Sequence, residues 1–155
     1  MRYLIGIGTY NGLDDSIGLR VAERIAEASL DRDFTALELG GNLLDLLHYL
    51  DAETEHVLIV DSARMGRAPG EYAFFVPEHV ESRKDLAGFS THEGDVLKVL
   101  GLAESLGQPL PPITILGIEP EQIAEGMGLS EALDERLDDY VAAAVGFFQP
   151  TDARS

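Results

Sequence analysis

Three side chains in this sequence could share one metal ion: Asp15, Asp61 and His92. Each of them follows a segment with the pattern of a β-strand or begins the helix that comes next. In an open α/β sheet the carboxyl ends of the parallel strands share one edge, and ligands bind in the crevice there. Two carboxylates and one imidazole at that edge would form an incomplete coordination shell. The sequence therefore predicts a metal-binding site with room for ligands that a partner molecule brings.

The acids at the start of the first predicted helix also have a simpler explanation, whereas Asp61 does not. Asp14 and Asp15 open the first predicted helix. A carboxylate there can cap the helix and is stabilised by the positive end of the helix dipole. One aspartate suffices for capping, which leaves the other for a second role. Asp61 ends a strongly apolar strand, and a charged residue at that position of this fold class is more often functional than not.

The histidine follows a helix-start signal. Ser90 and Glu93 match a capping box, which places His92 in the first turn of a helix. A histidine there could be purely local, but its predicted edge is the one that carries the two acids. The remaining histidines have no acidic residues predicted beside them at this edge and are expected at the surface or on helix faces: His48, His56 and His79.

The elements that must position these residues alternate between strand and helix patterns. Five runs have the composition of strands: Tyr3–Ile7, Phe34–Glu38, Val57–Asp61, Tyr72–Val76 and Ile113–Gly117. Four apolar stripes have helical spacing: Ile17, Val21 and Ile25; Leu43, Leu46, Leu47 and Leu50; Val96, Val99, Leu100 and Leu106; Leu133, Leu137, Val141 and Val145. The alternation predicts an α/β fold, a three-layer αβα sandwich whose mostly parallel, twisted sheet of about five strands is flanked by helices.

Two further expectations concern organisation. The link Ser62–Glu71 is close to hairpin length, so the fourth strand is expected to run antiparallel. Ser130 is a plausible N-cap for the last helix. The length of 155 residues fits one domain, taken as residues 1–149, followed by a flexible tail over 150–155.

Composition excludes several classes of function. With 11 basic and 28 acidic residues the net charge is −17, which disfavours nucleic acids and anionic membranes as partners. The acidic surface is explained by solubility, with a basic protein partner as the alternative. No apolar run approaches the ~20 residues of a membrane span, and the start of the chain does not resemble a signal peptide, so we expect a cytoplasmic protein. The absence of cysteine excludes disulfides, a thiolate metal site and a cysteine nucleophile.

A nucleotide site is the main competing prediction from the glycines. The Gly6-x-Gly8 turn follows the first strand, but the dinucleotide fingerprint needs a third glycine where Asn11 stands. Glu38 is a lone candidate for a ribose ligand. The glycines are equally explained by a tight strand-to-helix turn with little room for Cβ atoms.

Other catalytic motifs are missing from the sequence. It contains no zincin motif, no serine-hydrolase elbow and no phosphate-binding P-loop. Ser62 and Ser90 fall near the predicted site, but neither has an obvious oriented base, which disfavours a Ser-His-Asp arrangement.

The order of motifs resembles the hydrogenase maturation endopeptidases, which trim the C-terminus of the large subunit of nickel–iron hydrogenases. The resemblance covers roughly residues 1–145 and rests on the following run: Gly6-x-Gly8, Asp14-Asp15-x-x-Gly18, Gly40-Gly41, L-I-V-D-S-A over 58–63, M-G-x-x-P-G-E over 65–71, S-T-H over 90–92 and L-G-I-E-P over 116–120. The combination is specific, although each piece alone is not. Two positions depart from the family, because Thr9 replaces the usual asparagine and Ser16 the usual glycine or alanine.

The resemblance implies a helix-flanked twisted sheet and a metal-binding site formed by Asp15, Asp61 and His92. In the family this site is thought to recognise nickel already loaded into the precursor of the large subunit. Nickel would then be supplied by the substrate, and imidazole with carboxylate suits such a divalent ion. The peptide is cut, and the mature subunit closes around its metal centre.

The resulting hypothesis is a metal-recognising, aspartic-type endopeptidase that acts, as a monomer, on a nickel-loaded hydrogenase large-subunit precursor. The metal could polarise the scissile carbonyl or activate water, or Asp15 or Asp61 could be the general base; Asp14 is a possible helper. A non-proteolytic maturation factor that binds the metallated precursor is the alternative.

Overall fold

The computed structural model describes residues 1–40, 43–77 and 91–149, and within 91–95 it describes only the backbone. The strands are β1 (Arg2–Ile7), β2 (Thr35–Leu39), β3 (His56–Ser62), β4 (Tyr72–Phe75) and β5 (Ile113–Ile118). The helices are α1 (Ile17–Glu27), α2 (Thr91–Ser105), α3 (Glu131–Asp134) and α4 (Leu137–Phe147), with 3₁₀ segments at Leu13–Ser16 and Leu43–Tyr49. Every strand boundary lies within about one residue of its predicted position, the margin expected for such assignments.

The five strands form one sheet in the order β2-β1-β3-β5-β4. All neighbouring pairs are parallel except β4 with β5, which confirms the α/β class and the antiparallel fourth strand. The link after β3 crosses the carboxyl end of β5, so β4 pairs with β5 and not with β3. The chain places β2 on one side of β1 and β3 on the other. Ligands bind in this fold class at such a switch point between carboxyl ends.

Both faces of the sheet are buried, as the apolar strands predict. Side chains alternate along β3, so that Leu58 and Val60 join one core while Val57 and Ile59 join the other. The first core packs under α1 and α4, and the second packs under α2 and the 3₁₀ segment at Leu43–Tyr49. This arrangement gives the expected three layers. Among the described helices, none has both the length and the apolar character needed to cross a bilayer.

Two helical predictions differ from the structure. The leucine stripe over 43–50 forms a 3₁₀ helix over Leu43–Tyr49 instead of an α-helix, and the leucine spacing of three and four residues is compatible with either helix type. The last stripe is divided into α3 and α4, with Arg136 as the N-cap of α4. Nothing in the local sequence explains that division.

Glycines bring the start of α1 directly against the sheet. A Cβ atom on Gly18 would lie 2.1 Å from the Val60 carbonyl oxygen, and one on Gly6 would lie 2.1 Å from the Gly18 carbonyl oxygen. Gly8 has a φ of +147°, and a Cβ there would lie 2.1 Å from the carbonyl oxygen of Asp15. The predicted close packing of this strand-to-helix turn is therefore present. It brings the segment that carries Asp15 close to the end of β3.

Candidate active site

Two of the three predicted ligands lie beside the carboxyl ends of β1 and β3. Asp15 lies in the 3₁₀ turn Leu13–Ser16 that follows β1, and Asp61 is the penultimate residue of β3. Both are buried, with 7% of Asp15 and 1% of Asp61 exposed. Buried carboxylates normally require charged or hydrogen-bonding partners, so their surroundings decide what they can do.

Ser62 connects the two carboxylates. Its backbone N–H donates to Oδ1 of Asp61 at 2.8 Å, and its hydroxyl donates to Oδ1 of Asp15 at 2.9 Å. Ser62 is itself completely buried. Two acidic side chains from distant parts of the sequence are thus held around one serine. Carboxylates in such a position can bind a divalent cation or accept a proton from water.

His92 is the second residue of α2, in the first turn as predicted. Its side chain, like the Ser90–Glu93 capping contact, lies outside the described residues. Among the side chains that are described, no group of three histidine, aspartate or glutamate residues is placed to hold a metal ion. Asp15 and Asp61 each accept a hydrogen bond from Ser62, and the use of these acids and of His92 as metal ligands remains a prediction.

Asp14 does not cap a helix. Neither the 3₁₀ turn nor α1 has a side-chain cap. The fully buried Asp14 carboxylate instead accepts hydrogen bonds from the backbone N–H groups of Glu121, Gln122 and Ser130 and from the Ser130 hydroxyl, at 2.7–3.0 Å. Ser130 occupies the predicted N-cap position of α3, but its hydroxyl is used for this contact and caps nothing. Asp14 thus fastens the loop 119–130 beside the site, and its part in the chemistry remains a prediction.

A fourth buried carboxylate, Glu119, directly follows β5, and its contacts were not predicted from the sequence. Oε1 of Glu119 accepts the backbone N–H groups of Met65 and Arg67 at 2.7 and 3.1 Å. The Glu119 backbone also pairs with Gly70 and Glu71. The link between β3 and β4 is therefore anchored at several points. The available signal was a charged residue directly after an apolar strand, the same signal that identified Asp61.

Thr9 lies at the mouth of the site, where its family relatives were expected to carry asparagine. Its side chain is exposed, while its backbone N–H donates to the Asp15 carbonyl oxygen at 3.2 Å and its carbonyl accepts from Gly12 at 3.1 Å. The position therefore shapes the turn through its backbone, which either residue type can provide. Ser16, the other departure, is buried and its hydroxyl donates to the Leu13 carbonyl oxygen at 2.7 Å.

The features of the competing nucleotide hypothesis have structural explanations. The space beside Gly8 is filled by the carbonyl of Asp15. Glu38 is exposed and accepts a hydrogen bond from the Tyr10 hydroxyl, which also lies 3.1 Å from Glu23. Burial and these two carboxylates raise the pKa of Tyr10. The glycine turn thus serves packing, and Glu38 is part of a surface network.

Of the other histidines, His48 is exposed as expected, while His79 lies outside the described residues. The expected surface or helix-face position is wrong for His56, which lies partly buried at the start of β3. Its Nε2 is 3.0 Å from the Thr114 hydroxyl, and its ring packs edge-on against Phe147. It lies at the opposite end of the strand from Asp61.

The environment of His56 predicts a pH dependence of stability. Burial, and then the charge of Arg2, lower the pKa of His56 in the folded chain. The unfolded chain consequently binds this proton more readily, so stability is fully present above the unfolded pKa of ~6.5 and decreases as the pH falls below it. His56→Gln should lose less stability than the original chain between about pH 7.5 and 5.5. Urea unfolding at both pH values measures this, with His48→Gln as the exposed control; an unchanged loss in His56→Gln would contradict it.

Comparison with known proteins tests the motif resemblance. A family model described as hydrogenase maturation protease matches residues 19–146, well over half of the chain. The hydrogenase expression/formation protein HupD of Rhodobacter capsulatus is 27% identical over 144 residues, covering 92% of this chain and 68% of that protein. The hydrogenase 2 maturation protease of Escherichia coli is 27% identical over 151 residues, covering 94% of this chain and 91% of that protein.

A solved structure shows the same fold. The hydrogenase maturating endopeptidase HybD from E. coli matches with a TM-score of 0.79 and 20% identity, covering 94% of this chain and 90% of that chain. The resemblance drawn from the motifs is confirmed, since the family match runs from within α1 into the last turn of α4 and includes Asp61 and His92, although it begins after the turn that carries Asp15. This chain belongs to the hydrogenase maturation protease family.

Proposed function

We propose that the protein is an endopeptidase that removes the C-terminal peptide from a nickel-loaded precursor of a nickel–iron hydrogenase large subunit. Asp15, Asp61 and His92 contact the nickel of the precursor, whose own ligands complete the coordination shell. The metal is thus part of the substrate, and its presence marks a precursor that is ready to be cut.

The observation that carries this proposal is the pair of buried acids around Ser62. They lie at the switch point where this fold class binds ligands, in a chain whose family consists of maturation proteases. Of the two acids, Asp15 keeps the larger exposed fraction, 7% against 1% for Asp61. Carboxylate oxygens and imidazole nitrogen together suit divalent nickel.

Two routes to peptide-bond cleavage are compatible with this pair. In the first, the nickel of the precursor acts as a Lewis acid on the scissile carbonyl or on a water molecule. In the second, Asp15 or Asp61 accepts the proton of the attacking water, which is the aspartic-type route. Both routes need the two acids close together and the peptide held beside them.

We expect cleavage of a nickel-loaded precursor and little or no cleavage of the same precursor without nickel. Purified precursor in the two states is incubated with the protein, and intact-mass spectrometry detects the shortened large subunit. Equal cleavage of both states would contradict nickel recognition while retaining the peptidase activity. Stable binding of the loaded precursor without any loss of mass would instead identify a maturation factor that does not cut.

A further inference from the structure

Ser62 is the direct link between the two acids of the site. It ends β3, pairs in register with Ile118 of β5 and has no exposed surface. This pairing with β5 fixes the position of the Ser62 backbone. From this fixed point it donates one hydrogen bond to each carboxylate, at 2.8 Å to Asp61 and 2.9 Å to Asp15.

The two hydrogen bonds differ in how they depend on the side chain. The bond to Asp61 comes from the backbone N–H, which any residue except proline supplies. The bond to Asp15 comes from the hydroxyl and joins positions that are 47 residues apart. Replacement by alanine therefore removes the contact with Asp15 selectively and leaves the contact with Asp61 in place.

We propose that Ser62 is a positioning residue that sets the orientation of the Asp15 carboxylate relative to Asp61. This inference rests on the proposed function, because it concerns the same pair of acids. Partners that orient metal-binding or catalytic groups from behind are typically worth about 10- to 100-fold in affinity or activity. The hydroxyl holds the Asp15 carboxylate at hydrogen-bond distance from the residue whose N–H holds Asp61, and it does not itself need to reach the substrate.

The sequence offers a matched control in Ser16. It is also fully buried and also carries a hydroxyl with a close partner, but that partner is the Leu13 carbonyl oxygen, and the hydroxyl oxygen additionally accepts from Arg20 at 2.8 Å. Ser16→Ala thus removes a buried serine hydroxyl next to the site without removing a donor from either carboxylate. The two alanine variants should have similar thermal stability.

The test compares cleavage of nickel-loaded precursor by the original chain, Ser62→Ala, Ser16→Ala and Ser62→Thr. We expect kcat to fall about 10- to 100-fold in Ser62→Ala, with KM changed little, while Ser16→Ala stays close to the original chain. Ser62→Thr retains the hydroxyl and should recover part of the lost kcat. Thermal melting of each variant verifies folding.

Three results would overturn the assignment. If Ser62→Ala has the same kcat as Ser16→Ala, the Ser62 hydroxyl does not position Asp15. A loss confined to KM would place Ser62 in substrate binding instead. A folded Ser62→Thr no faster than Ser62→Ala would mean that the hydroxyl is not the relevant group. Failure of the original chain to cleave is a separate outcome, because it removes the proposed function itself.

Discussion

Asp61→Asn should abolish processing of the nickel-loaded precursor while the chain remains folded. Asparagine has the same shape, and its side-chain oxygen can still accept the Ser62 N–H that Asp61 accepts at 2.8 Å. The substitution removes the negative charge needed to bind a cation or to take a proton from water. Loss of a general base alone typically lowers the rate by about 10²- to 10⁴-fold. Cleavage is measured by intact mass and folding by thermal melting, with His92→Ala as a parallel variant that should also be inactive.

A control for charge is available on the surface. Asp134 in α3 is exposed, so Asp134→Asn makes the same change in net charge and should process the precursor at the original rate. If Asp61→Asn cleaves as fast as Asp134→Asn, Asp61 has no part in the chemistry. Full activity of His92→Ala would likewise remove the histidine from the proposed ligand set.

Asp14→Ala should lower the free energy of unfolding by about 3–5 kcal/mol, a large part of the stability of a domain this size. The substitution leaves three backbone N–H groups and one hydroxyl without the acceptor that they have in the folded chain. Buried donors without acceptors are destabilising by about 1–3 kcal/mol each when water cannot replace the partner. Urea unfolding measures the change through the midpoint and the slope.

Ser130→Ala provides a graded control for the same network. It removes one of the four hydrogen bonds and keeps the Ser130 backbone donor, so a loss of about 1 kcal/mol is expected. If Asp14→Ala is as stable as Ser130→Ala, the anchoring role of Asp14 is contradicted. An Asp14→Asn variant that kept the original stability but lost all processing would assign Asp14 to the chemistry instead.

The sheet was predictable from the sequence because its signals are local. Runs such as Val57–Asp61 are apolar along their whole length, and the short link after β3 indicated the reversed direction of β4. Asp61 was recognisable for the same reason, since a charge directly after such a run is conspicuous. The 3₁₀ geometry at Leu43–Tyr49 was missed because a spacing of three and four residues fits both helix types over so short a segment.

The detailed roles of the polar residues were not predictable, because their contacts join distant positions. Asp14 meets Ser130 across 116 residues, and Ser62 meets Asp15 across 47. For Asp14, Asp15 and Ser130 the local pattern suggested helix capping, a frequent use of aspartate and serine near helix ends, and for Ser62 it indicated no oriented base. Only the folded arrangement shows that these side chains serve the neighbouring loop and the neighbouring acid.

The glycine corner has a consequence for how relatives of this protein can diversify. Gly18 and Val60 are in contact through their main chains, so no side chain at this contact can be made smaller or larger. The distance between the two acids is therefore expected to stay the same among relatives. Adaptation to a different precursor must then occur at exposed positions around the opening, such as Thr9, Arg64 and Arg67. An attempt to retarget the enzyme should randomise those positions and leave the corner untouched.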